Sequence, residues 1–310
     1  MSEKKISLLG ARGYVGKEIL SLISLHPHLS IHCVYSSSKA GDLVEGYSKD
    51  PELKYSHLDA SNFKAMEEDA YILALPNNEA QPYIDAIVEQ NPKAFILDIS
   101  SDYRFDDDWQ YRIPELSPAI QRTKISNPGC YATAMQLMLA PIKDHIEGFA
   151  HCFGVSGYSG AGATPNPRNN LELLNDNVLA YSLISHIHES EVRHHMYDRV
   201  QFVPHVGQFF RGIILTGNFT LTQTLTREEC FEAFKSFYTE HSLIEVQAEP
   251  PHLQQVVHTH KAIVGGFQVD APIKRLTFCC VIDNLLKGAA TQAVQNLNSA
   301  FGWDDNLGIS

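Results

Sequence analysis

The stretch Ile6-Ser7-Leu8-Leu9-Gly10-Ala11-Arg12-Gly13-Tyr14-Val15-Gly16-Lys17-Glu18-Ile19-Leu20 constrains the fold more than any other. It places an apolar run of strand length, three glycines at intervals of three, and a helix-period segment in direct succession. Glycines at such a turn let the chain reverse tightly, and they let a phosphate approach the N–H groups and positive end of the following helix. The reading is a strand–turn–helix unit able to hold a dinucleotide. The spacing is G-x-x-G-x-x-G rather than G-x-G-x-x-G, and taken alone it also fits a plain strand-to-helix turn.

The next hundred residues repeat the alternation of strand and helix. Strands are expected at Ile6–Leu9, Ile31–Tyr35, Tyr71–Leu75 and Phe95–Ile99, and helices near Val15–Leu25 and Glu79–Gln90, the pattern of a parallel sheet covered by helices. From about His151 longer β-like runs take over: HCFGVSG, VQFVPHV, GIILTGNFTLTQTL, AIVGGFQVD and KRLTFCCVID, with one helix over Arg227–His241. This is an α+β pattern with a mainly antiparallel sheet. A closing helix, LLKGAATQAVQNLNSAF, could return to the first part of the chain. The expected fold is α/β, a Rossmann-type domain followed by an α+β domain. With 310 residues, 44% of them hydrophobic, each domain can bury its own core.

A formal charge of −12 excludes a general attraction to nucleic acid or to an anionic membrane surface. No apolar run is long enough for a spanning helix. The apolar run near the start is broken by Gly10, Arg12 and Gly13 without a small-residue cleavage site, so no signal peptide is expected. Six scattered cysteines (33, 130, 152, 230, 279 and 280) lack zinc or disulfide spacing, and a reduced, cytoplasmic protein is expected.

Where the second strand ends, a carboxylate would normally hold the ribose 2′-hydroxyl of NAD; here the chain reads Ser36-Ser37-Ser38-Lys39. Hydroxyls and a cation suit a 2′-phosphate, so NADP is the expected cofactor. Asn127-Pro128-Gly129 is turn chemistry that leaves Cys130 at a helix start, where the dipole favours a thiolate nucleophile. Position alone leaves an inert buried thiol open. Acid/base partners could come from SHIHESE, with His186, His188 and Glu191, or from FVPHVGQFFRG, with His205 and Arg211. His186 and His188 would share a face if that segment were extended; no further ligand cluster argues for zinc, and no metal is expected. Ser101 and Arg104 after the fourth strand, and Arg211, could grip an anion.

The ordered set GARGYVGKE, LDISSDYRF, SNPGCYATA, GVSGYSGAG, HIHESE, FVPHVGQFFRGI and DNLLKGAATQAVQNLN spans nearly the whole chain and resembles the N-acetyl-gamma-glutamyl-phosphate reductase family, related to aspartate-semialdehyde dehydrogenase. The resemblance implies an NADP-binding Rossmann domain (1–129 and 285–310) and a catalytic and dimerisation domain (130–284). It implies a soluble homo-oligomer, dimer or tetramer, acting on a small-molecule acyl phosphate. Cys130 falls on the nucleophile that would form a thioester, with His188 as acid/base and His205 second. The expected NADP(H) contacts are Gly10, Arg12, Gly13, Tyr14, Val15, Gly16, Ser36, Ser38, Lys39, Pro76, Asn284, Lys287 and Gly288. Expected at the substrate are Ser101, Arg104, Asn127, Gly157, His186, Glu191 and Arg211.

Two departures stand out. Many members read His-Arg-His-Thr-Pro-Glu where this chain has His186-Ile187-His188-Glu189-Ser190-Glu191, and Ala132 replaces a frequent proline after the cysteine. Aspartyl or aminoadipyl phosphate reduction, an NADP-binding regulator and a cofactor-free cysteine hydrolase are the other readings.

Overall fold

A computed structural model describes residues 2–309, which divide into two compact units: 2–128 with 289–309, and 129–288. In the first unit, β1 (Lys4–Leu9), β2 (Leu29–Ser36), β3 (Tyr55–His57), β4 (Ala70–Leu73), β5 (Phe95–Asp98), β6 (Gln110–Tyr111) and β7 (Lys124–Ser126) form one sheet in the order β3-β2-β1-β4-β5-β7-β6. Every pairing is parallel. The central strands are buried on both faces, which is why Ile6–Leu9 and Ala70–Leu73 read as unbroken apolar runs rather than alternating ones. Helices α1 (Tyr14–Leu25) and α2 (Gln81–Gln90) bury their apolar stripes, Ile19, Leu20 and Ile23 on one, Tyr83, Ile84 and Ile87 on the other.

The closing helix, Thr291–Ala300, belongs to this unit and packs on α1 and β5. It enters through a π-helical turn, Leu286–Ala290. Besides Ala293, Val294 and Leu297, it buries Gln292, Gln295, Asn296 and Asn298. Asn296 donates to Asn127 Oδ1 (3.2 Å) and accepts from Arg112 Nη1 (2.9 Å), while Asn298 Oδ1 pairs with His26 Nε2 (3.0 Å).

The second unit opens with α3 (Cys130–Leu139). Its sheet contains β8 (Ala150–Gly157), β9 (Val178–Ala180), β10 (Val200–Gly207), β11 (Ile213–Thr220), β12 (Ile244–Gln247), β13 (Ala262–Asp270) and β14 (Arg275–Ile282), in the order β12-β13-β14-β11-β8-β10-β9. Four pairings are antiparallel, and β8–β10 and β12–β13 are parallel. The remaining helices are α4 (Leu171–Leu174), α5 (Ile187–His195) and α6 (Arg227–Phe237). Along β10, Val200, Phe202, Pro204 and Val206 are buried, while Gln201 and Val203 stay exposed. The buried set packs beneath α3 and α5, with Phe202 4.7 Å from the Tyr131 ring.

Candidate active site

The glycine turn has the form its sequence requires. Gly10 has φ +81°, and a Cβ there would stand 2.3 Å from Ala74 O; one on Gly16 would stand 2.7 Å from Ala11 backbone atoms. Gly13 caps α1 with no side-chain hydrogen bond, no acidic residue occupies the first turn, and a Cβ there would meet only Gly10 O at 3.9 Å. That leaves an N-terminus able to receive a phosphate. Tyr14 and Val15 start the helix and are partly exposed. Arg12 Nη1 donates to Ser38 Oγ (2.8 Å), and Ser36 Oγ accepts from Ser38 N (3.4 Å), so the guanidinium, the hydroxyls and Lys39 gather at the end of β2. The donor set suits an anionic oxygen group such as a phosphate. Pro76 lies exposed after β4.

In the second unit, Gly129 in extended conformation caps α3 and makes Cys130 the first helical residue. Glu191, fully buried on α5, accepts from Gly129 N through Oε2 (3.0 Å), and its Oε1 stands 3.8 Å from His188 Nε2. One carboxylate thus fixes the amide before the cysteine and faces the imidazole. The condition under which His186 and His188 would share a face, an extended segment, is not met: His186 is the N-cap of α5, and its Nδ1 accepts from His188 N (3.1 Å). The two rings lie 4.8 Å apart, edge to face.

Tyr131 donates to His205 O (2.8 Å), and Tyr181 stacks edge-on to His186 (5.5 Å). Burial pushes both phenols up, and a Cys130 thiolate beside them adds to the effect, so both remain protonated donors at neutral pH. Arg168 lies over the Tyr181 ring at 5.0 Å with its side chain exposed. Sequence reading missed Tyr131, Tyr181 and Arg168; nothing in GAGATPNPRNN marks that arginine as a neighbour of the histidines.

His205 lies elsewhere. It alternates with Phe202 along β10, so its side chain is on the opposite face of the sheet, 4.5 Å from Phe153. Phe149, Phe153 and Val203 are exposed there.

The two arginines proposed for anions are engaged internally. Arg104 is buried and donates to Asn127 O (3.1 Å) and Ile99 O (3.0 Å). Arg211 pairs with Asp283 through Nε (2.7 Å) and Nη2 (3.1 Å), and its Nη1 lies 2.9 Å from His258 Nδ1. Asn127 donates to Ala289 O (3.3 Å), and Ser101 N donates to Asn77 Oδ1 (3.2 Å). Gly157 permits close approach of the Phe210–Arg211 backbone, which a Cβ would meet at 2.5 Å.

Asp283 organises the turn that follows β14. Its carboxylate accepts from Leu285 N, Leu286 N and His258 N, and its carbonyl accepts from Gly288 N (2.9 Å). Asn284 accepts from Gly212 N (2.6 Å) and donates to Ser159 Oγ (2.9 Å). Lys287 is fully buried; burial pushes the nearby His260 imidazole down, Asp283 opposes the shift and Lys287 reinforces it. Gly288 lies against the cysteine, where a Cβ would stand 2.8 Å from Cys130 Cβ.

Among known proteins, residues 5–123 match the family "Semialdehyde dehydrogenase, NAD binding domain" and residues 130–284 "Semialdehyde dehydrogenase, dimerisation domain". The N-acetyl-gamma-glutamyl-phosphate reductase of Xanthomonas campestris pv. campestris is 47% identical over 309 residues, 98% of each chain. "Protein arg11, mitochondrial" of Schizosaccharomyces pombe is 46% identical over 98% of this chain, which spans only 35% of that protein. Among solved structures, aspartate semialdehyde dehydrogenase II of Vibrio cholerae has the same fold, with a TM-score of 0.81 at 16% identity, covering 97% of this chain and 99% of that one. The NADP-bound enzyme of Candida albicans gives 0.75 at 16%, covering 99% and 100%.

Proposed function

Because the chain belongs to the N-acetyl-gamma-glutamyl-phosphate reductase family, within the semialdehyde dehydrogenases, we propose that it reduces N-acetyl-L-glutamyl 5-phosphate to N-acetyl-L-glutamate 5-semialdehyde and phosphate on the route to arginine. It is an oxidoreductase, and Cys130 is the residue we assign to the covalent step. The observation that carries the assignment is the cysteine at the first position of α3, with Glu191 on the preceding amide and the His188 imidazole facing the same carboxylate.

At that helix position a thiolate is stabilised by the dipole. Its sulfur attacks the acyl carbon, a C–S bond forms, and the C–O bond to phosphate breaks with the electron pair leaving on phosphate. The Gly10–Gly16 turn, with Arg12, Ser38 and Lys39 at the 2′-phosphate, would hold the reduced nicotinamide cofactor, which would supply the hydride when bound. His188 gives a proton to the oxygen of the resulting thiohemiacetal and takes it back as the C–S bond breaks, releasing aldehyde and restoring the thiolate. Glu191 Oε1 stands 3.8 Å from the His188 imidazole, and proton exchange of this kind is worth roughly 10²–10⁴-fold. Arg168, exposed above Tyr181, is our choice for the cation that meets the anionic substrate.

NADP rather than NAD rests on the Arg12–Ser38 pair and the lack of a carboxylate at the end of β2. A second copy of the chain suits the sheet face bearing Phe149, Phe153, Val203 and His205, in a segment matching a dimerisation domain. Among the described residues no helix is long and apolar enough to cross a membrane, and all six cysteines are thiols, compatible with a reducing compartment such as the cytoplasm.

The test is phosphate-dependent reduction of NADP with N-acetylglutamate semialdehyde, on the wild type and on Cys130→Ser. Turnover abolished by the substitution supports the proposal. Equal or better turnover of aspartate semialdehyde would overturn the substrate, and full activity of Cys130→Ser would overturn the nucleophile.

A further inference from the structure

We propose that His32, Cys33 and Glu68, in the first unit, form a binding site for a single zinc ion or similar late first-row divalent cation. The imidazole Nδ1, the thiol Sγ and a carboxylate oxygen lie within 4.8 Å of one another, and among the described residues they are the one group of three such side chains that does. Tetrahedral donors around zinc are roughly 3.3–3.8 Å apart, so a bound ion would part the hydrogen-bonded His32 Nδ1 and Glu68 Oε1 (2.6 Å) and draw in by about 1 Å any donor standing at the 4.8 Å limit. Imidazole, thiolate and carboxylate are ordinary zinc donors, and two negative charges balance the cation. Met66 Sδ, 3.7 Å from Cys33 Sγ, places a soft thioether beside the fourth position.

Adjacent residues on a regular strand point to opposite faces, so His32 and Cys33 would not converge in an unbroken β2. They do so because the strand is bulged there. Ile6 pairs with Ile31 and Ser7 with Cys33, leaving His32 as the extra residue. Such bulges re-aim side chains.

The opposing carboxylate is held ready. The Glu68 side chain is fully buried; its Oε1 accepts from His32 Nδ1 (2.6 Å) and Ser7 Oγ (3.2 Å), while its Oε2 has no hydrogen-bond partner. A buried carboxylate oxygen without a partner is costly, and a cation would satisfy it. The Met66–Glu68 loop is pinned at its backbone. Tyr71 Oη accepts from Met66 N (2.8 Å), and Asn91 Nδ2 donates to Met66 O (3.0 Å) and Glu68 O (2.8 Å). Ligands supported this way stay in place without the ion. His32 is 42% exposed and gives access from solvent.

Cobalt(II) serves as the probe, with zinc as competitor. The wild-type chain should bind one equivalent with a thiolate-to-cobalt charge-transfer absorption that zinc abolishes. Cys130→Ser should keep that band, Cys33→Ser should lose it while still binding NADPH, and His32→Gln should weaken binding by at least about tenfold. Failure of the wild type to bind one equivalent would overturn the proposal. So would a band that survives Cys33→Ser and vanishes in Cys130→Ser, which would put the ion at the other thiol.

Discussion

Replacing Gly288 with alanine tests how tightly the nucleophile is positioned. A Cβ at residue 288 would stand 2.8 Å from Cys130 Cβ, 3.3 Å from Cys130 Cα and 3.2 Å from Asp283 O, where ordinary contact begins at 3.4 Å. The worst shortfall is 0.6 Å, and neither neighbour can rotate away, because Cα and Cβ are fixed to the first turn of α3 and the carbonyl is backbone. Overpacking of this kind costs about 1–3 kcal/mol. A nucleophile displaced by a good part of an ångström loses up to about 10²-fold in rate. Gly288→Ala should therefore lower the melting temperature and reduce kcat of the phosphorylating oxidation by roughly 10–100-fold. It should also slow alkylation of Cys130 by iodoacetamide. Alkylation measured without NADP is the decisive part, since a glycine that merely touched the cofactor could not affect it. Wild-type alkylation and kcat in the folded variant would refute the packing argument.

His188→Gln should reduce kcat by about 10²–10⁴-fold, and His205→Gln should leave kcat within a few-fold; the opposite ranking in the reverse assay would transfer the acid/base role to the far face of the sheet. In the wild type at pH 7.5, substoichiometric iodoacetamide should label Cys130 first. Burial pushes Cys152 up to about 12 and Cys230 to about 11, and peptide mass spectrometry showing either labelled ahead of Cys130 would contradict this. Arg12→Ala should raise KM for NADPH at least about tenfold and change that for NADH little; equal changes would remove the 2′-phosphate contact. Asp98 is fully buried with its pKa pushed up to about 7, mainly by burial. Its folded state therefore holds a proton that the unfolded state releases above about pH 4, and stability falls as pH rises toward 7, by up to about 4 kcal/mol. Asp98→Asn should gain on the wild type in melting temperature between pH 5 and pH 8, and a constant difference across that range would refute this.

The parallel sheet and the cysteine at the head of α3 were legible because both follow from local rules, namely apolar runs bounded by turns, and turn residues before a helix former. The start of α5 was not. Helices usually begin on serine, threonine, aspartate or asparagine, and here a histidine supplies the cap while Ser185 sits at φ +62°. Arg211 shows a second limit. Its planar charge was legible as a grip for an anion, whereas its ion pair with Asp283, 72 residues further along the chain, was not. Convergence of His32 and Cys33 was invisible for a different reason, since one extra residue in β2 cancels the alternation on which strand reading depends.

The closing helix sets the order of biosynthesis. Its apolar face and its asparagine contacts complete the first unit, yet it is translated only after the entire second unit. At about 5–20 residues per second, the nascent β1–β7 sheet waits roughly 10–30 s with the seat of Ala293, Val294 and Leu297 uncovered. The contiguous second unit can fold meanwhile. In a growing chain, the nucleotide turn would be formed early and secured last, and a ribosome stalled before Thr291 would carry a sheet with one helix missing.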